Sequence, residues 1–306
     1  MNKQTSIDTL EDLYELDNEL LEILLKDKTT KQNIVWATND YDYLGNGYRL
    51  QDEITTELIT GLHSKLIQPR TAKKKGHQTI RTQNKAEVFT PAWVCNEQIN
   101  LIDECWFEEK NVFNVSKKDE WKVNTKKIKF LGDKSWKEYV DTKRLEIACG
   151  EAPYLVSRYD AATGKKIDIT RRVGILDRKI RIINENVQDE KEWIRWVTRA
   201  FQSVYGYEYQ GDNLLLARSN LFFSYIDYFE QKFGRQPVIS ELVKIANVIA
   251  WNIWQMDGVT CMTPIGQTKE VFDGFNLFED EKIQCQLCKI QDWRSKESIT
   301  YISLRR

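Results

Sequence analysis

The chain has 306 residues, 45 basic and 46 acidic side chains, a net charge of -1 and 41% hydrophobic residues. That length suits one large domain or two with a real core, and the balanced charge excludes a uniformly basic nucleic-acid coat, so any DNA contact must come from a local patch. No apolar run is long enough to span a bilayer and no secretory h-region is present; the expected location is cytoplasmic, with Cys95, Cys105, Cys149, Cys261, Cys285 and Cys288 as free thiols.

Residues 1 to 32 read as an amphipathic helix. Ser6 is a candidate N-cap, and Leu10, Leu13, Leu16, Leu20, Ile23 and Leu24 follow at helical spacing. Such a helix packs on its own domain or docks on a partner subunit. Residues 33 to 70 mix a strand-like run, IVWAT, an aromatic turn, NDYDYLGNGY, and a helix from Asp52 to Gly61. Tyr41, Tyr43 and Tyr48 alternate with turn-forming residues, which favours a packed loop over stacking on a base. Gln68 to Lys85 holds Arg70, Lys73, Lys74, Lys75, His77, Arg81 and Lys85 and no acid. It reads either as a solvated loop or as a track for a phosphate backbone. In the next segment Thr90 is placed to cap a helix from Ala92 to Phe107, Pro91 suits its first turn, and Phe89 is left to pack on a ligand.

Asn111 to Thr142 is polar, carries Trp121 and Trp136, and reads as an inserted loop or hairpin. Then comes LEIACGEAPYL, Leu145 to Leu155: a buried strand (Leu145, Ile147), a tight turn at Cys149-Gly150, and a helix whose N-terminus would offer free N–H groups to a ligand. Arg171 to Asn184 mixes basic and apolar residues, facing either DNA or buried acids. Glu190 to Ser203 is a helix with Trp193, Trp196, Val197 and Ala200 on one face, and it completes a strand-crossover-strand unit. YGYEYQGDNLLLAR, Tyr205 to Arg218, is a second strand ending at Glu208 and leading into a long helix from Leu214 to Phe233 that stops at Gly234. Ser240 is placed to cap a third helix, Glu241 to Ala250, which feeds NIWQMDG, an apolar run ending at Asp257. An acid at the end of a sheet's second strand is where such a sheet holds a ribose. Beyond lie a turn at Pro264, an acidic stretch from Asp273 to Glu281, and two short strands about Trp293 to Lys296. Cys285 and Cys288 make half of a zinc ligand set. Only Cys261 is near and no histidine follows His77, so no metal site is expected.

LEIACGEAPYL, YGYEYQGDNLLLAR and WQMDGV, preceded by KAEVFTPAWVCNEQINLI (Lys85 to Ile102), resemble the motifs of a known family. It is the methyltransferase subunit of bacterial restriction-modification systems, the N6-adenine DNA methyltransferases that use S-adenosylmethionine. The resemblance covers about residues 83 to 260. It implies an α/β fold with a Rossmann-like S-adenosylmethionine-dependent methyltransferase sheet. Residues 1–82 would be a mostly helical N-terminal region with the basic loop, 83–260 the cofactor-binding domain, and 261–306 a C-terminal extension. It further implies that Phe89, Thr90 and Pro91 lie by the methionine moiety and that Glu146, Cys149 and Gly150 line the turn beneath it. Glu208 would hold the ribose hydroxyls, Tyr209 would sit beside the adenine ring, and Asp257 would accept from the adenine amino group. Double-stranded DNA would be the substrate, with Arg70, Lys73, Lys74, Lys75 and Arg81 as candidate phosphate contacts.

Two departures qualify the resemblance. Ala152 and Glu151 replace the family's second glycine and the small polar residue before it. The catalytic motif (N/D)PP(Y/F) is absent, since the chain contains no Pro-Pro pair. The expected function is therefore the cofactor-binding part of such an enzyme, completed by a second polypeptide or a missing C-terminal part. The competing expectation is a catalytically inactive DNA- or protein-binding module on the same fold. A small-molecule or RNA methyltransferase is disfavoured by the lack of any Pro-Pro pair.

Overall fold

The computed structural model describes residues 8–73, 75, 79, 81–83, 89–264, 268–273, 276–282 and 286–305, with 268–273 and 276–282 as backbone only. The predicted N-terminal helix is two helices, α1 (Leu10–Leu16) and α2 (Asn18–Leu25). Asp17 divides them because its side chain turns back onto the backbone, accepting from the Glu19 N–H at 3.0 Å, and so caps α2. Thr9 caps α1 in a reciprocal box with Asp12, while Ser6 lies outside the described residues. The apolar face of α2 (Leu20, Leu21, Leu24 and Leu25) is fully buried. IVWAT contributes only an isolated bridge, Val35 to Glu53, and the helix expected from Asp52 shrinks to α3 (Thr56–Ile59). Tyr41 and Tyr48 pack on Trp36, with ring centroids 4.6 and 5.6 Å away, and Tyr43 is exposed.

Helix α4 (Ala92–Phe107) has the predicted bounds but not the predicted cap. Pro91 occupies the N-cap position without a side-chain bond, and the Ala92 N–H donates instead to Asp160 at 2.7 Å. A cap supplied from a distant loop cannot be read from local sequence. The 111–142 insertion forms an antiparallel hairpin of β1 (Asn114–Lys117) and β2 (Glu120–Val123), followed by α5 (Trp136–Asp141).

Three strands then make one parallel sheet in the order β3 (Arg144–Ile147), β4 (Val204–Glu208), β5 (Ile253–Gln255). In its register Leu145 lies beside Tyr205, Ile147 beside Tyr207, and Tyr207 beside Trp254. Every residue of β4 and β5 is buried, as expected of parallel strands covered on both faces. Helices α6 (Ile175–Asn186) and α7 (Glu190–Phe201) connect β3 to β4; α8 (Gly211–Phe233) and α9 (Ile239–Asn252) connect β4 to β5. Gly234 ends α8 in the left-handed conformation, φ +68°. Ser240 lies inside α9 rather than capping it, because Glu241 reaches back to the Val238 N–H at 3.1 Å and fixes the start there.

One apolar core joins Leu20, Leu24 and Trp36 to Trp193, Leu215, Phe222 and Ile245, so residue 82 marks no break in packing. Beyond β5, β6 (Thr268–Asp273) and β7 (Asn276–Lys282) form one antiparallel pair, and β8 (Lys289–Asp292) and β9 (Glu297–Thr300) another. The opposite sheet face (Tyr205, Tyr207, Trp254) clusters with Met256, Cys288, Ile290 and Tyr301 from the C-terminal segment. The fold is thus mixed α/β. Among the described residues no helix is long and apolar enough to cross a membrane. Cys285 lies outside the described residues. Cys288 is buried with its thiol on the Gln255 carbonyl, and no described His, Cys, Asp or Glu cluster is placed to hold a metal.

Candidate cofactor site

The turn that leaves β3 is shaped by three left-handed residues, Ala148, Gly150 and Ala152, at φ +52°, +53° and +62°. This alternation, not a helix, follows the strand; the helix expected after Gly150 is absent, because left-handed residues interrupt helical pairing. Cys149 is buried in the turn and its N–H donates to the Tyr207 carbonyl at 2.8 Å, fastening the turn to β4. Its close approach explains Gly206, where an added Cβ would sit 3.1 Å from Cys149 Cβ. Ala152 keeps the backbone that a glycine would adopt more easily, at the strain that L-residues carry there.

Ala148 makes that strain measurable because its side chain is exposed. Left-handed backbone costs an L-residue about 1–2 kcal/mol, and glycine returns about 0.4–1 kcal/mol of that as extra freedom in the unfolded chain. Ala148→Gly is therefore expected to raise the urea unfolding free energy by about 0.5–1 kcal/mol. An unchanged or lower value would show that the left-handed turn is not populated.

Two carboxyls converge on the turn from adjacent strands. Glu208, at the end of β4, accepts the Gly150 N–H at 2.9 Å and the Tyr209 and Gln210 N–H groups at 3.0 and 3.1 Å. Glu146, on β3, accepts the Tyr154 and Leu155 N–H groups at 3.3 and 3.2 Å. Both are buried, and among the described residues neither has a salt-bridge partner. Burial, reinforced by the Glu208 charge, pushes the Glu146 carboxyl up to about 8, although its backbone donors oppose the change. Burial also raises Glu208, against the pull of its three backbone N–H donors. The Phe89 ring covers the turn, 3.6 Å from the position of a Cβ on Gly150, and the Arg70 guanidinium lies over the same ring with Cζ 5.6 Å from the centroid.

The structure therefore brings Phe89, Glu146, Cys149, Gly150 and Glu208 together, with Thr90 and Pro91 at the adjoining start of α4 and Tyr209 next along the chain. Asp257 is engaged elsewhere: its carboxylate accepts the Val259 N–H at 2.7 Å and the Thr260 N–H at 3.2 Å in its own turn. Glu151 also points away from the turn, into bonds from the Arg70 N–H at 2.7 Å and the Tyr159 hydroxyl.

Of the run's basic residues Arg70, Lys73, Lys75 and Arg81 are described, and all but Lys75 are engaged within the protein, while His77 and Lys85 lie outside the described residues. Arg81 is buried against Asp40, Gln210 and Asp212, and Lys73 bonds Asp212 at 2.8 Å. Arg70 donates to Thr82 Oγ1 at 2.7 Å, Lys75 is exposed, and Lys74 lies outside the described residues. Asp212 and Asp40 were not singled out as site neighbours in the sequence, although Asp212 stands in the GD that opens α8; Tyr41, read as part of a packed loop, donates its hydroxyl to Asp212 at 2.8 Å. No protein-family model, no curated protein and no solved structure matches the chain. The resemblance rests on its sequence motifs and their order alone.

Proposed function

We propose that the chain is the S-adenosylmethionine-binding part of a restriction-modification DNA adenine-N6 methyltransferase, built on a Rossmann-like sheet. Catalysis would require a second polypeptide or further chain. The observation that carries this reading is the pair of buried carboxyls, Glu146 and Glu208, on neighbouring strands, with no salt-bridge partner among the described residues, around a glycine turn roofed by Phe89. A site of that kind suits a ligand that brings its own positive charge and vicinal hydroxyls. Glu208 would exchange its backbone donors for the ribose hydroxyls. Phe89, Thr90 and Pro91 would flank the methionine end, Glu146, Cys149 and Gly150 would lie beneath it, and Tyr209 would face the adenine. Asp257 would reach the adenine amino group only by leaving its present turn. The bound sulfonium supplies an electrophilic methyl group; no residue of this chain is assigned to activate the target amine. Of the five basic residues offered for double-stranded DNA, Lys75 alone among those described has an exposed side chain.

One observation favours the second reading, an inactive DNA- or protein-binding module: Glu208 is already satisfied by three backbone N–H groups, so the turn is closed without a ligand. Equilibrium dialysis with tritiated S-adenosylmethionine separates the two. Glu208→Gln keeps an acceptor but loses the charge, and is expected to weaken binding about 10- to 100-fold in a chain that melts as the wild type does. Binding indifferent to this substitution would remove Glu208 from the site.

A further inference from the structure

We propose that Arg70 receives the α-carboxylate of the ligand bound at the turn after β3. The inference rests on the cofactor reading above and adds the one ligand charge that Glu146 and Glu208 cannot serve. S-adenosylmethionine carries a positive sulfonium, a positive ammonium and a negative carboxylate. Two buried carboxyls suit the positive groups and the ribose hydroxyls, but a further carboxylate brought beside them needs a cation of its own. Arg70 stands where that cation is required. Its guanidinium lies on the Phe89 ring, Cζ 5.6 Å from the centroid, and the same ring covers Gly150. Its backbone N–H donates to Glu151 Oε1 at 2.7 Å, one residue beyond Gly150, so main chain and side chain both hold it against the turn.

The guanidinium is also uncommitted. Among the described residues Arg70 has no ion pair, and of its three side-chain nitrogens only Nη2 has a hydrogen-bond partner, Thr82 Oγ1 at 2.7 Å. Nε is buried with no partner at all. The Phe89 ring and the Thr82 hydroxyl orient the planar fork and leave its charge whole. Glu151, the acid nearest the turn in sequence, does not neutralise it: that carboxylate accepts the Arg70 main-chain N–H and the Tyr159 hydroxyl. Lys73 and Arg81 differ in this respect, since Asp212 holds both, at 2.8 and 2.9 Å. An arginine fork receives a carboxylate through charge-assisted hydrogen bonds, which are roughly twice as strong as neutral ones. The cluster thus offers acids to the cationic part of the ligand and one unpaired cation to its anionic end.

The test compares S-adenosylmethionine with its decarboxylated analogue, which keeps the sulfonium, the amine and the adenosine and lacks only the carboxylate. Both are titrated into the full chain, as wild type and as Arg70→Met. The wild type is expected to prefer S-adenosylmethionine by about tenfold or more, the yield of a charge-assisted hydrogen bond. Arg70→Met is expected to bind the two ligands equally, as tightly as the wild type binds the analogue. Arg70→Lys keeps the charge without the fork; it is expected to retain part of the preference, and it carries the test if Arg70→Met does not fold. If Arg70 served the fold alone, its loss would weaken both ligands by one factor and leave their ratio unchanged. That result would overturn the proposal, as would a wild type indifferent to the carboxylate. Binding of neither ligand by the folded wild type is a separate outcome, and it would remove the cofactor reading together with this proposal.

Discussion

Asp212→Ala is expected to lower the unfolding free energy by about 3–5 kcal/mol, the range found when one partner of a buried ion pair is removed. Asp212 is fully buried at the start of α8. It accepts from Lys73 Nζ at 2.8 Å, Arg81 Nη1 at 2.9 Å and the Tyr41 hydroxyl at 2.8 Å. Its removal takes a carboxylate partner from both Lys73 and Arg81, and a negative charge from the helix N-terminus. Burial by itself would raise its carboxyl; Lys73 and Arg81 outweigh that and hold it well below the ordinary 3.8. A depressed folded value contributes stability above the unfolded value and loses it as pH falls through the folded one. The wild type should therefore lose this contribution progressively below about pH 4, and Asp212→Ala should show a shallower acid decline. Urea titrations at neutral and acid pH check both parts. A loss under 1 kcal/mol would mean that the basic segment is not held on the α8 N-terminus.

Arg218→Met is expected to cost a similar amount, about 3–5 kcal/mol, without touching the turn after β3. The guanidinium is fully buried and donates to four carbonyls: Ile253 at 2.7 Å, Leu24 at 2.6 Å, Lys26 at 3.0 Å and Ala250 at 3.3 Å. These lie at the ends of α2 and α9 and at the start of β5, so one side chain satisfies the terminal carbonyls of two helices and ties them to the sheet. Methionine preserves much of the volume and none of the bonds, which isolates the polar contribution. Desolvation lowers the Arg218 pKa only to about 10, so it remains charged at neutral pH and the measurement needs no pH correction there.

The three strand ends were legible because each is an apolar run closed by a small or acidic residue, and β3, β4 and β5 lie where those runs are. Helix α4 was legible to the residue at both ends, since Pro91 and the apolar spacing act locally. What sequence could not show depends on partners far along the chain. Asp160 caps α4 from beyond the turn. Arg81 reaches Asp212 across the sheet's strand-end loops and Lys73 joins it there, so two residues of a run that reads as a DNA track are held inside the protein. The missing helix after Gly150 has another cause: Ala152 stands in a left-handed conformation that alanine rarely takes, so its identity pointed to the wrong local structure. Leu145 and Ile147, expected to be buried, are 40% and 65% exposed among the described residues, since an apolar run does not say whether a neighbouring segment covers it.

The most direct test of the central claim is titration calorimetry of the folded chain with S-adenosylmethionine and S-adenosylhomocysteine at pH 7, in two buffers of different ionisation enthalpy. With its carboxyl pushed up to about 8, Glu146 holds its proton at that pH until a cation arrives beside it. The account predicts one-to-one binding of both ligands, with proton release for the sulfonium and less or none for the neutral sulfide. No heat with either ligand, from a chain that melts cooperatively, would contradict it.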